Sequence, residues 1–363
     1  MVKQRKADHI DISLNENVNA DYNYWDDIRF YHKALPEIDV SEIETSIELF
    51  GKKLSAPIII SAITGGYDKA EFINHNLAVA AGRIGVGLGI GSQRAAIEKP
   101  ALAHTYEVIK GKNVPLVIGN IGAPQLIPQE GKKAFGVEEC RSAMEMVDAD
   151  ILAIHMNYLQ EIVQPEGDLK ARGCLNAIRK VAAELPVLAK ETGAGISREM
   201  AEVLRDAGVK GIDVGGLGGT SFSAVEYYRA RKGGEESLER LGKTFWNWGI
   251  PTPVSLSLAD VGLPLVATGG IRNGLDVARS VSLGANSAGM AKRLLEAATR
   301  SADSVEKELR LIVEELKGAM FLTGCVNIRD LRNVCPIITG PMAPWMDAAR
   351  LRHGSVRILN GHS

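Results

Sequence analysis

The 363-residue sequence predicts an α/β protein, a (β/α)8 TIM barrel with an N-terminal arm and a C-terminal helical tail. Three observations carry that prediction. Short apolar, β-rich runs alternate with segments of helical spacing. The runs are apolar at nearly every position instead of every second one, as strands of a parallel sheet covered on both faces must be. Eight such units fit in roughly 245 residues, the usual size of this barrel. A doubly wound sheet would show the same alternation, but its G-x-G-x-x-G first turn is absent. The glycines at Gly85, Gly87, Gly89 and Gly91 have the wrong spacing for it.

The strands read, in order, PIIISA from Pro57, GVGLGIGS from Gly85, VPLVIGNIG from Val114 and DILAIHMN from Asp150. PVLAKETG from Pro186, GIDVGG from Gly211, LPLVATGG from Leu263 and NSAGMA from Asn286 complete the set. Among the helices, SREMAEVLRDAG has Ser197 as N-cap, a Glu in its first turn and Gly208 at its end. NGLDVARSVSLG runs from Asn273 to Gly284. The whole chain, 1–363, reads as one domain with a barrel core at about 55–300. An arm, 1–50, carries the aromatic cluster YNYWDDIRFYH from Tyr22 and covers part of the barrel. The extension, 301–363, opens with the helix VEKELRLIVEELKGAMFL and continues as an irregular tail. The stretch Leu217–Leu258 is too long for a βα loop and predicts an active-site lid or a mobile insertion.

Composition bounds the function. With 45% hydrophobic and 24% charged residues the chain can bury a large core. A net charge of −2 gives no bulk electrostatic case for nucleic acid or an anionic membrane as partner. Apolar runs such as Pro57 to Ile63 fall far short of the ~20 residues that a membrane span needs. The start, MVKQRKADHIDISL, lacks the apolar stretch of a secretory signal. Cys140, Cys174, Cys325 and Cys335 form no CxxC pair, which suits a cytoplasmic protein with buried thiols and neither disulfide nor cysteine-bound metal.

In a barrel the chemistry sits at the carboxyl ends of the strands. Strand 7 ends in Thr268-Gly269-Gly270-Ile271-Arg272-Asn273-Gly274 and strand 8 in Gly289-Met290-Ala291. Glycine turns at these two positions predict a phosphate held by backbone N–H groups, the alternative being plain turns. The ends of strands 1, 2 and 3 are small residues, amides and hydroxyls with one arginine: SAITGG at Ser61, GSQR at Gly91 and GNIG at Gly119. They suit a flat polar ring system across the barrel mouth. Lys190, ending strand 5, could neutralise an anionic flavin or form a structural salt bridge with Glu191 or another carboxylate. On strand 4, parity sends His155 and Asn157 into the mouth, with Gln160 and Glu161 on the loop above. Glu161 alone reads as a solvated carboxylate. Beside a diphosphate, one carboxylate suffices to hold Mg2+.

Taken together, these residues resemble the type 2, FMN-dependent isopentenyl-diphosphate delta-isomerases. The marks are Arg5-Lys6-x-x-His9, SAITGG, GSQR, GNIGAPQL, HMNYLQEIVQPEGD from His155, KETGAGIS from Lys190, GGTSF from Gly218, WNWGIPT from Trp246 and GGIRNGLD from Gly269. The likeness covers about Arg5 to Arg300, and the LQE-x-x-QPEGD stretch is its most specific part. The resemblance implies FMN contacts at Ala62, Ile63, Thr64, Ser92, Asn120, Lys190 and Thr220. It implies the flavin phosphate at Gly270, Ile271, Arg272, Met290 and Ala291. Where many members carry serine at the end of strand 6 this chain has Gly215, which leaves backbone contact there. Substrate contacts are implied at Arg5, Lys6, Ser92, Gln93, Arg94 and Gln160, with His9, His155 and Asn157 close by, and Glu161 is the implied Mg2+ ligand. Gln160, His155 and Asn157 are the candidate catalytic residues. The implied cofactors are FMN, Mg2+ and NADPH as reductant, the implied setting is isoprenoid biosynthesis, and the implied assembly is a homotetramer or homo-octamer.

The implied reaction moves a C=C bond of a small diphosphate by adding one proton and removing another. An alkene is a very weak base, and no Cys–His pair, HExxH or Ser-His-Asp set is evident to protonate it. A reduced flavin would supply what the side chains lack. Two other functions fit the same barrel. An FMN-dependent 2-hydroxy-acid oxidase needs a His base and an Arg just before strand 7, and Ile250 to Pro264 contains neither. A non-catalytic flavin- or phosphate-binding barrel has no use for the Gln160-Glu161 pair.

Overall fold

The computed structural model describes residues 2–353. Eight parallel strands close into a barrel in the order β7-β8-β1-β2-β3-β4-β5-β6. They are β1 (Ile58–Ile60), β2 (Gly87–Gly89), β3 (Val117–Gly122), β4 (Ile151–Met156), β5 (Val187–Glu191), β6 (Gly211–Asp213), β7 (Leu265–Thr268) and β8 (Ser287–Met290). Each falls inside a run read from the sequence.

The reason those runs do not alternate is visible in their packing. Ile59, Ile118, Ala153, Leu188 and Val266 form one buried cluster inside the barrel. Their neighbours Ile58, Ile60, Val117, Leu152, Ile154, Val187, Leu265 and Ala267 belong to the larger core shared with the surrounding helices. Both faces are therefore apolar. Leu49 and Leu54 join the inner cluster from below. They come from a hairpin, Ile47–Leu49 paired with Lys52–Leu54, whose turn residues Phe50 and Gly51 have φ of 50° and 74°. Two positive φ values are what a two-residue turn between twisted strands needs.

Two expectations for the flanks do not hold. Leu217–Leu258 is not a long lid loop. It contains the helices Phe222–Gly233, Glu236–Thr244 and Thr252–Leu258, and every residue of the last is buried. The sequence SFSAVEYYRARK already has helix formers and a Ser221 cap that accepts from the Ala224 amide. Nor is the described part of the tail irregular after the helix Ala302–Thr323; the expectation for 354–363 lies outside the described residues. The tail continues as the helix Ile328–Arg332, the strand Ile337–Ile338 and the helix Met342–His353. Ile337–Ile338 pairs antiparallel with Ile28–Arg29, so the arm and the C-terminal extension are joined. The arm itself starts as a helix, Val2–Asn15. Cys140, Cys174 and Cys325 are buried free thiols, but Cys335 is exposed, against the expectation of buried thiols throughout. Among the described residues no helix is long and apolar enough to cross a membrane.

Candidate active site

Residues two apart along a strand stay on the same face. One step above the inner apolar cluster, the inward positions turn polar. Ile59 is followed by Ser61, Ile118 by Asn120, Ala153 by His155, Leu188 by Lys190, Gly211 by Asp213 and Val266 by Thr268. All but Ser61 bond to one another between neighbouring strands. Lys190 Nζ lies 2.6 Å from Asp213 Oδ2 and 3.4 Å from Thr268 Oγ1, and Thr268 also donates to Asp213. Glu191 is not the partner of Lys190: one of its oxygens accepts from the amides of Thr192, Gly193, Ala194 and Gly195. Gly289 has no side chain because a Cβ there would lie 2.1 Å from Thr268 and 2.4 Å from Ser61 Oγ. The Ser61 Oγ is buried and has no hydrogen-bond partner. Ser61, Ala62, Asn120, Lys190 and Asp213 line a small cavity over the apolar plug.

His155 connects this polar layer to what lies above. Its Nδ1 is 2.7 Å from Asn120 Oδ1. The Asn120 amide nitrogen is used on the Ile90 carbonyl, so Oδ1 accepts and the imidazole carries its proton on Nδ1. Burial, then the charges of Lys190, Lys6 and Arg5, push the His155 pKa down to about 3, so the ring is neutral.

A second, larger cleft opens beside the first, where the N-terminal helix meets the ends of β1 to β4. Arg5, Lys6, His9, Ile63, Thr64, Ser92, Arg94, His155, Asn157, Gln160 and Glu161 all line it. The turn SAITGG is shaped by Tyr106. A Cβ on Gly65 would sit 2.0 Å from that ring, and Gly66 has φ +80°. The Tyr106 hydroxyl donates to Ser92 O at 2.6 Å and accepts from Lys6 Nζ at 2.8 Å. Burial, followed by repulsion from Arg5 and Arg94, lowers the Lys6 pKa to about 7. Arg94 is braced by Glu98 at 2.7 Å and Asp168 at 2.9 Å.

Gln160 and Glu161 lie on a short helix, Tyr158–Val163, and not on a loop, and both are buried. Helical geometry stacks Asn157, Glu161 and Gln164 on one face. Glu161 accepts from Asn157 Nδ2 at 2.8 Å, Gln164 Nε2 at 2.5 Å and the Asp168 amide at 2.7 Å. Burial raises its pKa against those bonds. Asn157 Oδ1, Gln164 Oε1 and Arg5 Nε are buried without hydrogen-bond partners.

The strand 6–8 side of the mouth is built differently. Gly269 and Gly270 have φ of 109° and 77°, and a Cβ on Gly219 would lie 2.5 Å from the Gly270 nitrogen. Side chains are excluded where the two turns meet. Gly215 has φ +45°, and a Cβ there would lie 2.0 Å from the Glu191 carbonyl, so only backbone is presented. Arg272 does not project freely: its guanidinium is held by Asp26 at 2.6 Å and Asp276 at 2.9 Å, and its amide donates to Asp276. Thr220 is bridged to Asn19, and Ala291 caps the helix Lys292–Ala298 after the buried Met290.

Gln93 departs from its expected place. It is fully buried, its amide nitrogen donates to Ala143 O at 2.6 Å and its oxygen accepts from the Asn120 amide at 2.9 Å. One end holds the helix Val137–Val147 and the other holds β3, away from the cleft. Sequence reasoning missed Asp213, the one acid on an apolar strand, which the same parity rule would have turned inward. It also missed Glu226, a fully buried carboxylate that accepts from Gln160 Nε2 at 3.1 Å, sits 2.8 Å from His9 Nε2 and pairs with Arg229 at 2.5 Å. Burial pushes its pKa up, but His9, Arg229 and Gln160 outweigh that and leave it lowered. Glu226 lies in the stretch read as a lid, where nothing local marks it.

Residues 133–336, more than half of the chain, match the FMN-dependent dehydrogenase family. The isopentenyl-diphosphate delta-isomerase of Thermoplasma volcanium is 47% identical over 347 residues, covering 96% of this chain and 100% of that protein. That of Thermoplasma acidophilum is 47% identical over 350 residues, with 96% and 100% covered. That of Archaeoglobus fulgidus is 47% identical over 347 residues, with 95% and 98% covered. Among solved structures, a mandelate oxidase mutant with a monooxide FMN adduct superposes with a TM-score of 0.59 at 18% identity, covering 92% of each chain. A Pediococcus acidilactici lactate oxidase gives 0.62 at 15% identity, covering 87% of this chain and 84% of the other. At that identity the two oxidases speak to the fold alone.

Proposed function

Because the chain belongs to the isopentenyl-diphosphate delta-isomerase family and carries its FMN-dependent dehydrogenase region, we propose that it interconverts isopentenyl and dimethylallyl diphosphate. In this reading FMN lies over the polar layer and the diphosphate sits in the outer cleft. The observation that carries it is the juxtaposition in that cleft of Arg5, Lys6 and Arg94 with Glu161, directly beside a polar barrel mouth.

The residues fit both groups. For the flavin, the unpartnered Ser61 Oγ and the Lys190–Asp213 pair offer polar groups beneath a flat ring, and the side-chain-free turns at Gly219 and Gly270 offer a phosphate cradle. For Mg2+, Glu161 would supply the carboxylate, and the unpartnered oxygens of Asn157 and Gln164 are donors of the kind a hard cation requires, although the nitrogens of those two amides now donate to Glu161. Among the described residues no three His, Cys, Asp or Glu gather to hold a metal, so phosphate oxygens and water would complete the shell.

When bound in reduced form, with NADPH as the proposed reductant, the flavin supplies an electron-rich face and proton-exchanging ring nitrogens. The chain does the rest. Arg5, Lys6 and Arg94 bind the diphosphate and fix the hydrocarbon toward the barrel mouth, which is the proximity contribution. An anion beside Lys6 favours its charged form, so binding near pH 7 draws a proton onto Nζ. A neutral His155 adds no positive charge next to a cation-like transition state. Asn157 and Gln160 orient the reacting carbons, and Ile10, Ile63 and Phe222 keep water from them.

The test is anaerobic conversion of isopentenyl diphosphate by the purified protein with FMN and Mg2+, with and without NADPH or dithionite. Turnover should require the reductant although no net redox change occurs. Equal rates without it, or no conversion with it, would overturn the proposal. Reduction of the flavin by 2-hydroxy acids would favour the oxidase instead.

A further inference from the structure

The segment from Val18 to Asp27 runs behind all the turns of the strand 6–8 side. Its Ala20 amide donates to Gly219 O at 2.8 Å. Asn23 Nδ2 donates to Gly270 O at 2.8 Å, and the indole nitrogen of Trp25 donates to Gly269 O at 2.9 Å. Asp26 holds Arg272 at 2.6 Å, and Asn19 Oδ1 accepts from Lys292 at 3.1 Å. The segment is itself fixed. Asn23 Oδ1 caps the turn Tyr24–Asp27 by accepting from the Trp25 amide at 3.1 Å, and Trp25 is fully buried. From the other side, the Thr339 amide donates to Asp27 O and the Met342 amide to Asp27 Oδ2, each at 2.9 Å.

A planar trans peptide points its C=O and the following N–H in opposite directions. Three carbonyls, those of Gly219, Gly269 and Gly270, are drawn toward the segment. The three following amides, those of Thr220, Gly270 and Ile271, therefore face away from it. No described residue accepts a hydrogen bond from any of them. Gly269 and Gly270 reach these orientations only through positive φ.

We propose that Asn23, Trp25 and the backbone of Ala20 are positioning residues for an anion, a back wall that aims three backbone N–H groups at the phosphate of the flavin. The inference rests on the flavin reading above and adds residues that lie outside the cleft and the barrel. Ala20, Asn23 and Trp25 do not line the cavity at the barrel mouth, so the wall would bear on the phosphate and not on the ring.

That distinction gives the experiment. Full-length protein is stripped of flavin, and the dissociation constants of FMN and riboflavin are measured by quenching of flavin fluorescence. The variants are Asn23→Ser, which removes the amide donor, and Trp25→Phe, which removes the indole N–H. Leu35→Ala, at an exposed residue of the same arm, is the control. The FMN dissociation constant should rise about fivefold to tenfold in each wall variant. Riboflavin binding and the control should not change, so the preference for FMN over riboflavin shrinks. If Trp25→Phe does not fold, Asn23→Ser decides alone. Equal losses for both flavins, or no loss for FMN, would overturn the wall. Wild-type protein that binds neither flavin would instead overturn the flavin reading and the wall with it.

Discussion

From β1 to β5 the barrel mouth is furnished with side chains: Thr64, Arg94, His155, Glu161 and Lys190. From β6 to β8 it offers mostly backbone, with Gly215, Gly219, Gly269 and Gly270 at the places where a Cβ would collide. The first side can hold charge, and its charges tune one another, as Lys6 and His155 show. The second can be approached closely, and its one inward carboxylate, Asp213, is already paired with Lys190. Binding a fixed phosphate suits rigid amides. Handling protons, a metal and a mobile hydrocarbon suits groups that can be charged. Substitutions on the two sides should therefore fail in different ways.

The largest effect is expected on the backbone side. Gly219→Ala would put a methyl 2.5 Å from the Gly270 nitrogen and force the two turns apart. FMN affinity should fall by ~100-fold or more, read as loss of flavin absorbance after gel filtration. Retention of equimolar flavin would break the contrast. On the other side, Glu161→Gln keeps the size and removes the charge. The Mg2+ concentration for half-maximal rate should rise roughly 10- to 100-fold while flavin content stays the same. An unchanged Mg2+ demand with a shifted pH–rate profile would make Glu161 a proton-transfer residue instead. Next is pH. With its pKa lowered to about 7, Lys6 is charged below that value and loses its proton above it. The kcat/KM for isopentenyl diphosphate should thus fall as pH rises through 7, toward about tenfold per pH unit, and Lys6→Arg should flatten the profile. The smallest catalytic change belongs to Gln93→Ala. It leaves the Asn120 amide and Ala143 carbonyl without their partner, costing about 1–3 kcal/mol of stability in urea titration. The KM should stay within about twofold; a large rise would return Gln93 to the substrate.

Much of this was legible before folding. The barrel could be read because each strand is apolar on both faces, and His155 and Lys190 because parity along a strand is rigid. Asp213 obeys the same parity. Gln93 could not be placed, because a glutamine in a strand-end turn serves a cleft or a buried amide equally well, and only the tertiary partner decides. Glu226 stayed hidden for a similar reason: its neighbours His9 and Gln160 are far away in sequence. The 217–258 stretch was misread because length alone suggests a lid, whereas its helix formers and caps argue for order. The tail was misread because its short elements are stabilised by the arm and not by their own periodicity.

The pairing of Ile28–Arg29 with Ile337–Ile338 has a consequence for synthesis. A chain made from its N-terminus exposes residues 18–29 long before their partners leave the ribosome. Closing so long a loop costs entropy that grows only slowly with length, so the delay is set by translation more than by the search. At ~5–20 residues per second, that wait is tens of seconds. Trp25 and its neighbours spend it without their C-terminal clamp.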